Sequence, residues 1–188
     1  MAPGAYAYTA SVDPGDELVD LVDEEGQVIG VVTRREVRAK QLLHRCTYVI
    51  VRNSRGEIYV HKRTDTKDVN PGLYDVTAGG VCASGESYDD CAARELEEEL
   101  GIAGTKLHFE FLHRYEGPDG RVLGAVYEVE WDGPIRHQES EVAWGAFVGL
   151  KALGKVMDEL EFCPDGRGVF ERWLADPSTG GPQAPGCA

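Results

Sequence analysis

Apolar, β-prone runs at Glu17–Val22 and Val28–Thr33 lie on either side of Asp23-Glu24-Glu25-Gly26. Such runs around a turn-forming cluster predict a β-hairpin. The pattern recurs twice more. Thr47–Val51 and Ile58–Lys62 flank Asn53-Ser54-Arg55-Gly56, and Lys106–Tyr115 and Arg121–Glu130 flank Pro118-Asp119-Gly120. Pro71-Gly72 breaks the chain before a strand at Tyr74–Ala78, and Val142–Val148 reads as the last strand. Helical signals are interleaved with these. Thr33 and Glu36 form a capping box that opens a short helix over Arg34–Gln41, and Ser87 with Asp90 opens a longer one that Gly101 closes. Leu150–Leu160 is helical, and after Pro164-Asp165-Gly166 a last helix covers Val169–Ala175, with Phe170, Trp173 and Leu174 as apolar anchors. Hairpins interleaved with helices predict an α/β chain with a mixed sheet packed between helices.

The helix after Ser87 carries more than a packing face. At 100° per residue, Ala92, Ala93, Leu96 and Leu100 share one arc, and Glu95, Glu98 and Glu99 share the next, while Glu97 points away. Like charges one turn apart repel, and a divalent cation removes that penalty. A solvated acidic face is the ordinary meaning of such a run, and it suffices for Glu97. For the other three, a set of oxygen donors without histidine or thiolate favours Mg²⁺ or Mn²⁺ over zinc. Ala78-Gly79-Gly80 lets the backbone approach closely enough for a carbonyl to join the metal shell. Glu86 and Arg94 are supporting parts, since Arg94 lies one turn before Glu98 and can hold its rotamer.

From Gly80 to Ile102 these residues match G-x5-E-x7-R-E-U-x-E-E-x-G-U, with U aliphatic, at every fixed position. The stretch resembles the Nudix box, the signature of enzymes that hydrolyse a nucleoside diphosphate linked to another moiety. From about Glu17 to Trp173 the chain also resembles the YfcD-like branch of that family, related to isopentenyl-diphosphate isomerase. The flanking cues are Leu18-Val19-Asp20, His44-Arg45, His61-Lys62-Arg63-Thr64, Lys67, Pro71-Gly72 and Phe162-Cys163-Pro164-Asp165-Gly166. The resemblance implies a Nudix α/β/α sandwich with a mixed sheet. It also implies a metal-dependent hydrolase of a diphosphate linkage in a nucleoside di- or triphosphate or nucleoside diphosphate derivative. Metal ligands would be Glu95, Glu98, Glu99 and the Gly79 carbonyl. Glu98 is the candidate base and Glu141 the second; Glu141 also matches a further glutamate that reaches the metals in family members, with Glu139 in reserve for that place. Arg94 and Glu86 complete the catalytic group.

Two alternatives stay open at this point: an isomerase-like enzyme and a non-catalytic nucleotide-binding module. The isomerase needs a cysteine where this chain has Gly79 and a histidine where it has Val81, and it degrades the glutamate cluster kept here. Cys82 lies three residues off with no base to activate it. His44 stands where the isomerase binds metal, but its companion position is Val37, so His44 reads as structural or substrate-facing. A non-catalytic module usually loses box glutamates, and none is lost.

Bulk properties narrow the partners. A net charge of −14 over 188 residues argues against a nucleic-acid polymer or an anionic membrane surface. It also means that local cations must reverse the field for an anionic substrate, and Lys62, Arg63 and Lys67 are the candidates to bind its phosphates. Tyr48, Tyr74, Tyr115 and Trp144 could stack a base or serve the core. Five scattered cysteines without a C-x-x-C pair indicate reduced thiols, and with no recognisable signal peptide the expected compartment is the cytoplasm. The sequence leaves a homodimer open. Residues 17–175 read as one domain, with 1–16 and 176–188 as disordered ends rich in Gly, Pro, Ala and Ser.

Overall fold

The computed structural model describes residues 13–176. The expectation of disordered ends lies outside the described residues, except at its inner margins. There it is corrected, because Pro14–Asp16 form a 3-10 turn and Arg35 pairs with both Asp13 (3.0 Å) and Asp16 (3.1 Å). At the other margin, Asp176 still donates its N–H to the Arg172 carbonyl.

The first hairpin forms as expected, with β1 (Leu18–Val22) antiparallel to β2 (Val28–Thr33). Helix α1 (Arg34–Lys40) follows at once. Thr33 and Glu36 make both bonds of the capping box, and Gln41 ends the helix in the left-handed region at φ 48°. Strands β3 (Leu43–Arg52) and β4 (Glu57–Arg63) are joined by the anticipated turn, but they pair only at Arg52 and Ile58. Beyond the turn they diverge, and Ala78–Cys82 lies along β3 instead, bridging Val49 to Ala78 and Cys46 to Val81. The strand expected at Tyr74–Ala78 is correspondingly short: β5 is Tyr74–Asp75. The other edge of β3 pairs in parallel with β7 (Gly120–Glu130), in register from Leu43–Arg121 to Arg52–Glu130. β7 also forms the expected hairpin with β6 (His108–Gly117), and β8 (Val142–Gly149) pairs with β4. Among the described strands β3–β7 is the only parallel pair, so the sheet is mixed.

Side chains of β3 alternate between two cores, as strand geometry dictates. Val49 and Val51 pack with Leu96 and Leu100 of α2 (Tyr88–Leu100). Tyr48 and Ile50 pack with Leu153 and Met157 of α3 (Leu150–Glu159) and Phe170 and Trp173 of α4 (Pro164–Ala175). The fold is therefore an α/β/α sandwich. α4 starts five residues before the sequence reading placed it, because Pro164 occupies the first helical turn, where a missing N–H costs nothing. Its anchors are Phe170 and Trp173, whereas Leu174 is exposed. In α2 the buried set is Cys91, Ala92, Leu96, Glu99 and Leu100, and Ala93 is exposed rather than core. The helix is seated with its glutamate side against the Ala78–Cys82 segment, which covers Cys91 and leaves Ala93 in solvent. No described helix is long and apolar enough to cross a membrane.

Candidate active site

The loop before α2 is fixed from below. Asp20 of β1 accepts from the Ser84 hydroxyl (2.7 Å), the Gly85 N–H (3.1 Å) and the Arg45 guanidinium (2.6 Å), and Arg45 also donates to the Glu86 carbonyl at 2.8 Å. Glu86 is thereby aimed at α2. Its carboxylate receives Arg94 Nε at 2.8 Å and a terminal Arg94 nitrogen at 3.0 Å, a forked geometry that fixes both planes. The other terminal nitrogen of Arg94 donates to Glu95 (2.8 Å) and Glu98 (3.1 Å). The expected Arg94–Glu98 pair is present, and Arg94 also binds two further carboxylates. These bonds, Glu86 foremost, hold the guanidinium firmly protonated.

Two glycines permit close approaches here, Gly80 to α2 and Gly79 to β3. A Cβ on Gly80 would lie 2.5 Å from Glu95 Oε1, and one on Gly79 would lie 2.1 Å from the Thr47 carbonyl oxygen. Both neighbours of Gly79 give their carbonyls to β3, Ala78 to Val49 N–H at 2.7 Å and Gly80 to Thr47 N–H at 2.9 Å. Strand alternation then turns the Gly79 N–H and carbonyl toward α2, and its N–H donates to Glu99 Oε2 at 3.2 Å. A cysteine at this position, as the isomerase would need, does not fit this backbone.

Glu141 arrives from a distant part of the chain. Arg136 and Gln138 donate backbone N–H groups to the Leu100 and Glu99 carbonyls, and Thr64 binds the Glu141 and Ser140 carbonyls. Lys67 then reaches the Glu141 carboxylate at 2.6 Å. Burial tends to raise Glu141, but the Lys67 bond and charge bring it below its usual range. Glu99 is 3% exposed, and burial, then the Glu95 charge, push it well above the carboxylate range. Burial also raises Glu95. Glu98 and Glu97 are exposed. Glu139 is exposed and absent from the cleft lining.

These groups line one cleft of about 780 Å³, within the size range of small-ligand sites. Arg63 and Lys67 line it too, but Lys62 does not, sitting instead across from Tyr74 and Trp144 in the sheet. Where β4 meets β8 the pairing skips Ala143 between Lys62 and Arg63, a bulge of the kind that re-aims side chains. The Arg63 guanidinium donates to the Val69 carbonyl at 3.1 Å, bracing the 64–70 loop. Buried His44 lines the cleft, with Nδ1 3.0 Å from the Leu42 carbonyl, and burial lowers its pKa so that it favours the neutral form. Tyr48 and Tyr115 line the cleft, whereas Tyr74 and Trp144 pack on each other outside it. Arg34, Arg38 and Arg121 also reach it. Sequence reading missed these three because they come from α1 and β7, far from the box in the chain.

A second acidic group lines the cleft, also unforeseen. Asp75 Oδ1 accepts from the N–H groups of Val76 (2.8 Å) and Thr77 (3.0 Å) and from the Thr77 hydroxyl (2.9 Å). Burial, then the charge of nearby Asp165, raise Asp75 to about 6. Asp165 in the first turn of α4 accepts from the Tyr48 hydroxyl at 3.0 Å, and burial raises it too. Pro164-Asp165-Gly166 was the available signal, but it reads as a turn.

Among the described residues, no three His, Cys, Asp or Glu side chains form a ready metal cage, since Arg94 draws Glu95 and Glu98 to itself. Cys46, Cys82, Cys91 and Cys163 are free and buried, and the bond to Cys91 together with burial raise the Cys82 thiol, which suits no nucleophile.

Comparison with known proteins identifies the family. The NUDIX domain profile matches residues 42–172. An uncharacterised Nudix hydrolase of Streptomyces coelicolor is 43% identical over 173 residues, spanning 91% of this chain and 96% of that protein. The uncharacterised Nudix hydrolase YfcD of Escherichia coli K12 is 39% identical over 158 residues, 84% of this chain and 87% of its own. The crystal structure of DR0079 from Deinococcus radiodurans superposes with a TM-score of 0.70 at 25% identity, covering 83% of this chain and 98% of that one. A loop-and-helix box that packs as its spacing dictates, inside a domain shared along nearly the whole length of such relatives, makes this chain a member of the Nudix hydrolase family.

Proposed function

We propose that this hydrolase is a Mg²⁺- or Mn²⁺-dependent diphosphohydrolase of nucleoside di- or triphosphates or nucleoside diphosphate derivatives. The observation that carries this reading is the gathering of Glu95, Glu98, Glu99 and Glu141 beside the Gly79-Gly80 loop on the wall of one cleft. The donor set fits a hard divalent cation: Glu95 and Glu99 are carboxyls whose burial penalises their charge, and the donors are oxygens. Glu95, Glu98, Glu99 and the Gly79 carbonyl would hold the ion. When bound, it would offset diphosphate charge and acidify a water. Glu98, facing the open cleft, takes the proton of the attacking water, with Glu141 as the second candidate. Arg94 holds Glu95 and Glu98 in place and is held in turn by Glu86. Arg63 and Lys67 supply positive charge to phosphate oxygens in an acidic protein. The buried thiols fit a reducing compartment, and the cytoplasm is the assigned one.

A panel of nucleoside di- and triphosphates, nucleotide sugars, dinucleotide cofactors and isoprenoid diphosphates tests the reading, with released phosphate or monophosphate measured in Mg²⁺. Turnover of a nucleotide member that stops with chelator is expected. Full activity in excess chelator, or turnover of isoprenoid diphosphates alone, overturns it.

A further inference from the structure

The acidic group built from Tyr48, Asp75 and Asp165 has no task in the chemistry above. Its hydrogen bonds are nearly complete. Asp75 Oδ1 has three donors, and Asp165 Oδ2 has the Tyr48 hydroxyl. Gly166 permits the approach of α4, since a Cβ there would lie 2.2 Å from Asp75 Oδ1. Asp165 Oδ1 stands apart: it is buried and makes no full hydrogen bond, although the N–H groups of Asp165 and Gly166 at the start of α4 lie near this carboxylate and Asp165 lines the cleft. A buried acceptor without a donor is costly, and native proteins rarely leave one so. Asp75 is four residues from Gly79, so at most about 14 Å of chain separates this group from the box loop. One ligand can touch both.

We propose that Tyr48, Asp75 and Asp165 form the subsite for the non-phosphate moiety, and that Asp165 Oδ1 accepts a hydrogen bond from a neutral N–H or O–H group on it; this rests on the diphosphohydrolase reading. A nucleobase edge and a sugar hydroxyl share that chemistry. A hydrocarbon chain has no such donor, and it would leave Oδ1 as it stands in the free protein, buried without a full hydrogen bond. The subsite therefore selects nucleoside over isoprenoid diphosphates, through a group made only by the fold.

Calorimetry with Mg²⁺ separates this proposal from the catalytic one, because binding needs no turnover. The probes are methylene-bridged analogues of the four common nucleoside diphosphates, the corresponding abasic ribose compound and methylenediphosphonate. In the wild type, the best nucleoside analogue binds about tenfold tighter than methylenediphosphonate, the increment of one hydrogen bond to a buried acceptor. Asp165→Asn, whose oxygen stays on the Tyr48 hydroxyl and whose NH2 takes the place of Oδ1, removes that advantage and leaves methylenediphosphonate affinity unchanged. Tyr48→Phe, which keeps the buried ring but frees Asp165 Oδ2, reduces the advantage several-fold and covers the case in which Asp165→Asn fails to fold. An abasic compound that keeps the advantage identifies a sugar hydroxyl as the donor; one that loses it identifies the base, and either result supports the subsite. An advantage that survives both substitutions, or equal weakening of every probe, overturns it. Absence of hydrolysis across the substrate panel sinks only the diphosphohydrolase reading.

Discussion

The two acidic groups in the cleft solve the same problem in different ways. Glu86, Glu95 and Glu98 come from one loop and one helix, and their repulsion is relieved by a single guanidinium bonded to all three. Asp75 and Asp165 come from distant elements, and Tyr48 binds Asp165 across 117 positions of sequence. Their repulsion is relieved by buried donors and by the raised pKa of both carboxyls. The first group already sits on a cation, in an arrangement that a metal ion can take over. The second sets its carboxyls on N–H and hydroxyl donors and keeps hydrogen-bonding capacity. One suits a metal and the other suits a neutral ligand group.

The sharpest way to break this contrast is at the box. Glu98→Gln or Glu99→Gln is expected to lower kcat by about 10²–10⁴-fold, the range for loss of an acid–base or metal group. Exposed Glu97→Gln, one position away, is expected to be nearly silent, with native circular dichroism in each case. Equal losses would place the working face elsewhere on α2. A smaller effect follows at the clamp. Lysine has one ammonium where Arg94 has a fork reaching three carboxylates, so Arg94→Lys should cost about 10–100-fold in activity or metal affinity, as for other residues that orient metal ligands. Retained activity would show that Glu86 and Arg94 are only structural.

At the second group the expected readout is stability. Asp75 is raised from 3.8 to about 6, so its folded form resists ionisation and its contribution to stability is lost as pH rises through about 6. Asp75→Asn keeps the acceptor oxygen and removes the charge. It should stabilise the metal-free protein at pH 8 by on the order of 2 kcal/mol and have little effect at pH 4, as read by denaturant midpoints. The same gain at both pH values would mean that charge is not the cause. The smallest effect concerns the cations. Arg63→Ala should raise KM several-fold with a smaller change in kcat, shrinking at high ionic strength. Lys62→Ala and Lys155→Ala remove the same charge outside the cleft lining and should do less. Equal effects of all three would leave only general charge.

Much of this molecule is written locally. Thr33 and Ser87 start helices by bonds to residues three positions on, and Gly101 ends one at φ 67°. The glutamate phase of α2 follows from 100° per residue, so the box was legible as a site. What the sequence hid depends on packing between distant segments. Ala93, expected in the core, is exposed and Cys91 is buried because the Ala78–Cys82 segment grips one side of α2. Lys62 and Arg63 are neighbours in sequence, yet only Arg63 lines the cleft. Asp165 looked like part of a turn because Pro-Asp-Gly is also a turn signal. Nothing local to it announces that Tyr48 and Asp75 wait on the other side.

The parallel pairing of β3 with β7 also shapes how the protein comes to exist. Strand β3 is apolar on both faces and finds its long partner only when residues 121–130 emerge, with the whole box between them. At about 5–20 residues per second, a ribosome leaves that edge unsatisfied for several seconds. Through that interval the chain carries its full set of box glutamates and no sheet to hold them. The exposed β3 edge is then the segment most open to chaperones or to mispairing with another copy.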